Sequence, residues 1–308
     1  MNHALQLCSL ALNPQAPNPT ATMVKLENGH MIAFGGLFCI SVPEHVEVGA
    51  CFSPRLAGTF FRKDRSAVTY TINKGKLTLR EGKEKLTVPC VPPEEMVTLD
   101  VLSSSKPVNL LMNHFRSLTD VIDPQNNRKW AQGISFRKGL MEATNNSVII
   151  SAISGLSDDL VFNLPVDSAK ALMRFKSPVV SIAVDNRAVK FTFSDGSSLT
   201  SLVLVEQMVD VSHLHKDNWT PLNLKDIEDF LKLECETITF KRGNATYTQE
   251  HSQGVIEGAV DAGITVSVSK EPLDRLLKIS SDIRVSEDGN RLLAVSETCR
   301  GICSTIKI

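Results

Sequence analysis

A phrase recurs three times in this chain, at intervals of roughly a hundred residues, and it constrains the fold more than any other feature. The copies are GACFSPRLAGTFFRKDRSAVTYTINKGKLTLREGKEKLTV (Gly49 to Val88), VFNLPVDSAKALMRFKSPVVSIAVDNRAVKFTFSDGSSLTSLVLV (Val161 to Val205) and TVSVSKEPLDRLLKISSDIRVSEDGNRLLAVSETCRGICSTIKI (Thr265 to Ile308). Each reads as a short strand, an amphipathic helix and a run of alternating strands divided by tight turns. A unit built three times in tandem makes a surface or a ring more readily than one catalytic pocket, because repeats stack or close on each other.

The 308 residues leave room for two or three domains with their own cores. A net charge of −1 excludes a bulk polycation, so nucleic-acid binding would need a local basic face on a near-neutral body. The seven cysteines are scattered without a CxxC pair, the pattern of reduced, buried thiols in a cytosolic protein. Leu5 to Leu12 is apolar but lacks a basic leader and runs into Pro14, Pro17 and Pro19, which favours a short helix over a signal peptide. No apolar run approaches the roughly 20 residues that span a bilayer. The expected address is the cytoplasm, where the triplets at Asn145, Asn218 and Asn244 carry no glycosylation meaning.

Each block divides into two similar halves, a helix and then strands. In the first block, a helix near His3–Leu12 precedes strands at Thr22–Leu26 and His30–Phe34, turning at Asn28-Gly29. Its other half places Ser53 before Pro54 as a helix start and turns at Asn73-Lys74-Gly75. In the second block, Val108, Leu111, Phe115, Leu118 and Val121 predict a helix over Pro107–Ile122. Strands follow at Gln132–Phe136, Leu140–Thr144 and Val148–Ile153, and later Val180, Ile182 and Val184 are expected to face inward. The third block opens with a helix over Leu224–Leu233 and ends in a strand over Ile302–Ile308. The expectation is an α+β chain of three domains, 1–98, 99–212 and 213–308, each with two helices on antiparallel sheets in pseudo-twofold arrangement.

This pattern resembles the bacterial DNA polymerase III beta sliding clamp, the ring-shaped processivity factor of replicases. The likeness is strongest from Leu164 to Met208, where PVDSAKALMRF, VVSIAV, AVKFTF, an Asp-Gly turn and SLTSLVLVEQM follow the family's central domain in order and spacing. MEATNNSVIISA is similar to the preceding family segment, which reads "ATDGHRLA". Departures mark a divergent member of the kind a phage or mobile element carries. The first helix starts almost at Met1, the family's Phe-Pro-Asp-Tyr link is Met208-Val209-Asp210-Val211, and its Met-Pro-Met-Arg-Leu tail is Ser304-Thr305-Ile306-Lys307-Ile308.

The resemblance implies two chains closing head to tail into a ring of six domains around double-stranded DNA, with helices inside and sheets outside. The helices supply Arg55, Arg62, Lys63 and Arg65, then Arg116, Lys170, Arg174 and Lys176, then Lys270, Arg275 and Lys278 as phosphate-facing candidates. The plain alternative for each is an ordinary solvated helix face. The resemblance also implies a shallow apolar pocket for short linear motifs of polymerase and clamp loader. Carried over position by position, it comprises Thr144, Asn146, Ser147, Ile149, Val209, Leu214, Ile302, Ser304, Ile306 and Ile308. Core packing is the competing account of its aliphatic members.

No bond chemistry, cofactor or metal is expected. His213, His215 and Asp210 lack further ligands, Asp158-Asp159 reads as a solvated turn, and no phosphate loop, GxSxG elbow or HExxH helix occurs. An aromatic content of 6% argues against a base-stacking single-strand binder. The competing reading is a β-rich structural or assembly protein, such as a virion component, that reuses repeated sheet units; a hydrolase without a recognisable motif is a more remote one.

Overall fold

The computed structural model describes residues 2–58, 60, 68–101, 104–215, 218–224, 227–241, 243–249, 252–257, 259 and 265–306. In chain order the elements begin with α1 (Asn2–Ala11), β1 (Val24–Glu27), β2 (His30–Phe34), β3 (Phe38–Pro43), β4 (Ala50–Phe52), α2 (Pro54–Ala57), β5 (Thr69–Asn73), β6 (Lys76–Glu81) and β7 (Glu84–Pro89). There follow β8 (Lys106–Pro107), α3 (Phe115–Val121), β9 (Gly133–Arg137), β10 (Leu140–Thr144), β11 (Val148–Ile153), β12 (Phe162–Pro165), α4 (Val166–Leu172), β13 (Val179–Val184), β14 (Ala188–Phe193) and β15 (Ser198–Leu202). The last series is β16 (Trp219–Pro221), α5 (Ile227–Lys232), β17 (Thr237–Lys241), β18 (Asn244–Gln249), β19 (Ser252–Ile256), β20 (Val266–Ser269), α6 (Lys270–Leu277), β21 (Ile283–Ser286), β22 (Arg291–Val295) and β23 (Cys299–Ser304).

These elements form two compact units, residues 1–110 with 167–205 and residues 111–166 with 206–308. The first unit holds an eight-stranded antiparallel sheet ordered β4-β1-β2-β3-β15-β14-β13-β8 and a three-stranded sheet β5-β6-β7. Its hairpins at Asn28-Gly29 and Lys74-Gly75 have positive φ at both turn residues, the conformation that matches strand twist and that glycine permits. Helix α1 buries Ala4, Leu7, Cys8 and Ala11, one face at helical spacing, and the Cys8 thiol donates to the Met31 carbonyl at 3.4 Å. Helix α4 is tied to β15 by the buried Ser201 and Ser168 hydroxyls, 2.7 Å apart.

The second unit repeats the design with a sheet ordered β12-β9-β10-β11-β23-β22-β21-β16 and a four-stranded sheet β19-β18-β17-β20. Phe136 stacks on Phe162 at 4.4 Å and meets Phe115 of α3 at 6.2 Å, which seats the helix on the sheet. Helix α6 buries Leu273, Leu276 and Leu277.

Two local expectations are corrected. The helix over Pro107–Ile122 begins only at Phe115, because residues ahead of it take sheet-like partners: Val108 N–H donates to Val180 at 3.1 Å, and Leu111 N–H to Ser154 at 2.8 Å. Val180 does not face inward; a register shift between Val179 and Ser181 turns it out, 40% exposed, while Val179 and Ile182 are buried.

Gly301 of β23 lies under the C-terminal end of α6 and the residues just after it. A Cβ there would lie 2.5 Å from Ile279 Cδ1 and 2.7 Å from Leu276 Cδ2. Gly301→Val is expected to lower stability by about 2 kcal/mol, read as a lower urea midpoint with unchanged slope.

Candidate functional site

The basic candidates of the first unit stand out from its surface. Arg55, Lys170, Arg174 and Lys176 are exposed, and Lys170 and Arg174, one turn apart, line a cleft of about 460 Å³ with Leu10, Asn13 and Phe38. Arg62, Lys63 and Arg65 lie outside the described residues. In the second unit the charges are largely spent on one another. Arg275 donates to Glu271 at 2.6 Å and to the Asp120 carbonyl, and a cleft of about 350 Å³ there is also lined by Asp274 and Lys278. Arg116 and Lys278 are exposed.

Lys270 is a correction. It is only 7% exposed and its ammonium sits 2.6 Å from the Asp274 carboxylate, an i to i+4 pair that holds it within the first turn of α6. Its helical position matched the other candidates, but its side chain is not presented to a phosphate.

The partner-pocket candidates converge in part. Thr144, Ile149 and Ile302 are neighbours across β10, β11 and β23, paired Thr144 with Ile149 and Ile149 with Ile302. Thr144 and Ile302 are buried, and the Thr144 hydroxyl donates to Val148 and accepts from the Asn146 N–H, fixing the turn between β10 and β11. Asn146, Ser147, Val209, Ser304 and Ile306 are exposed, and Ile149 and Leu214 half-buried. The Ile306 N–H donates to Ser267 at 2.7 Å, which docks the tail against β20; Ile308 lies outside the described residues.

The sequence reading missed what positions the link. Arg137 donates Nε to Glu142 at 2.6 Å, Nη1 to the Met208 carbonyl at 3.0 Å and Nη2 to the Val209 carbonyl at 2.9 Å. Glu142 is buried and its other oxygen accepts from Ser151. Asn163 adds bonds to the carbonyls of Trp130 and Glu206. Residues 206–210 are thereby stapled to β9 and β12, and Met208 is buried while Val209 is left out. Asp210, held by the Ser212 N–H and by Lys138, has its carboxyl well below the ordinary range. Burial pushes the His215 imidazole down, and the Arg300 charge adds to this. The available signal was Glu142 itself, a charge in an otherwise apolar strand with an arginine across the Lys138-Gly139 turn.

Among the described residues no three His, Cys, Asp or Glu side chains converge as a metal site. No described helix is long and apolar enough to cross a membrane.

No protein-family model and no curated protein sequence matches the chain. Solved structures do. The Helicobacter pylori beta clamp bound to a DNA ligase peptide is similar over 99% of this chain and 97% of its own, with a TM-score of 0.81 at 12% identity. The Bacillus subtilis DNA polymerase sliding clamp gives 0.81 at 15% identity, over 100% and 97%. The Pseudomonas aeruginosa sliding clamp, DNA polymerase III subunit beta, bound to griselimycin gives 0.81 at 13%, with the same coverage. The chain therefore has the sliding-clamp fold along its whole length.

The Arg137–Glu142 pair is only 16% and 5% exposed at its side chains, so removing one partner strands the other. Arg137→Met is expected to cost about 3 kcal/mol in chemical denaturation, and Arg137→Met with Glu142→Gln to recover most of that loss.

Proposed function

We propose that the chain is a DNA sliding clamp, a processivity factor that closes as a head-to-tail homodimer around duplex DNA and tethers a polymerase and other partners by short peptide motifs. It performs no bond chemistry in this reading, and residues 1–98, 99–212 and 213–308 act as its three domains. The observation that carries the reading is the pattern of joined and open sheet edges. β3 joins β15 and β11 joins β23, each antiparallel, so the last strand of one half-sheet meets the last strand of another. Their counterparts in the repeat are β19 and β7. Among the described residues, the outer edge of each carries no strand. β7 of one copy against β19 of the next repeats the same join, and two such joins close a ring.

The charge distribution supports a surface that slides. Exposed Arg55, Lys170, Arg174 and Lys176 give phosphates non-specific partners, while the paired charges of α6 keep the grip weak. The exposed part of the partner-pocket set, Asn146, Ser147, Val209 and Ile306 beside half-buried Ile149, suits an extended peptide with hydrophobic anchors.

Closure is tested on mass and topology together. The Gly82-Lys83 turn makes Glu81 and Glu84 a bonded pair, so Lys85 and Thr87 present their backbone N–H groups outward from β7. The native protein is expected to have twice the mass of its 33.7 kDa chain, and Thr87→Pro that of a single folded chain. Once loaded on nicked circular DNA the native ring stays through gel filtration and is lost when the circle is cut. Open polymers, or retention indifferent to cutting, would sink the proposal.

Replacing Lys170, Arg174 and Lys176 together by alanine is expected to weaken duplex binding and flatten the dependence of log K on log salt by about 2 to 3. Anisotropy with a labelled duplex across a salt series reads both.

A further inference from the structure

We propose that the second unit carries another ligand site, a cavity of about 390 Å³ that takes a carboxylate beside a branched aliphatic side chain in an extended segment of a partner protein. The site is distinct from the pocket carried over by resemblance. Thr144, Ile149 and Ile302 occupy one end of the β10–β11–β23 ladder, whereas Leu140, Ile153 and Thr298 stand at the other. Between the two ends runs the row of Glu142, Ser151 and Arg300.

Two features point to that ligand. Leu140 and Ile153 are a cross-strand pair, 36% and 42% exposed, so two aliphatic side chains on the same wall face the cavity rather than the core. Arg300 lines the same cavity, exposed, with no hydrogen bond or ion pair from its guanidinium among the described residues. His215 lines it too, and its Nδ1 is shielded from solvent, with no hydrogen-bond partner among the described residues. The unspent guanidinium is the complement of a carboxylate, the aliphatic pair is the complement of its hydrophobic neighbour, and the imidazole adds a further wall to the cavity.

The nearby acids set the polarity. Glu142 is neutralised by Arg137 and bonded to Ser151, so it does not compete for Arg300. Glu297 is exposed on the rim and repels an acidic ligand, which places the carboxylate on the Arg300 side. The site needs neither ring closure nor DNA, so it stands or falls separately from the clamp reading.

The test uses the full chain with methyl-labelled isoleucines and two probes, acetyl-Gly-Leu-Asp-Leu-Gly-amide and its Asn counterpart. The Asp probe is expected to shift the Ile153 methyl saturably and to bind about fivefold tighter than the Asn probe, one charge-assisted contact at a part-exposed site. Arg300→Gln, an exposed change, should erase that preference; Leu140→Asp should abolish binding of both; Glu297→Gln should strengthen the Asp probe. Equal affinity of the two probes for the native protein, no saturable shift, or a shift confined to Ile149 and Ile302 would overturn the proposal. The last outcome would support the carried-over pocket instead, so the two sites are told apart in one titration.

Discussion

An open sheet edge exposes a row of backbone donors and acceptors, and this fold is organised around pairing them. Residues 24–52 and 106–107 with 179–202 are far apart in sequence, yet they share one ladder through β3 and β15, where Leu199 faces Ile40. Residues 133–165 and 219–221 with 283–304 do the same through β11 and β23, where Ile149 faces Ile302. Each join adds four strands to four and removes two edges from solvent. These contacts are non-local, so the loop-closure entropy of the intervening chain is lost before the pairing contributes.

The helices answer a different constraint. Each must bury one face on its sheet and leave the other polar, and the two units spend their surface charge differently. In the first unit Lys170 on α4, and Arg174 and Lys176 just beyond it, make no ion pair among the described residues, although Asp167 lines the same cleft as Lys170 and Arg174. In the second, Lys270 and Arg275 are held by Asp274 and Glu271 one turn away. On the proposed reading this asymmetry concentrates phosphate attraction in one part of the chain. A surface with a few unspent cations holds a duplex loosely enough to move along it, since each contact exchanges for a counterion at small net cost.

The sequence carried the alternating strands and tight turns well, because both signals are local. Asn28-Gly29 and Lys74-Gly75 turn their hairpins with positive φ at both residues, a conformation signalled by the glycine in each pair. It carried less where tertiary partners override the pattern. Val108 and Leu111 fit a helical stripe, but their N–H groups are claimed by Val180 and Ser154, and one inserted residue turned Val180 outward. Lys270 matched its counterparts in position, and only the geometry of α6 reveals that Asp274 had claimed it. The free guanidinium of Arg300 and the bare Nδ1 of His215 had no sequence signal, since what distinguishes them is the absence of a neighbour.

Glu142 shows how a costly residue can be explained by what it holds. A buried carboxylate is unfavourable unless fully partnered, and here Arg137 and Ser151 satisfy it. The same guanidinium reaches the carbonyls of Met208 and Val209, so the ion pair's desolvation is offset partly by hydrogen bonds to a segment without secondary structure of its own. An apolar pair in those two positions would remove the anchors on Met208 and Val209 and leave the link held by Asn163 and Lys138. What the charge visibly supplies is position: it fixes where residues 208–209 cross the sheet face, with Met208 buried and Val209 exposed.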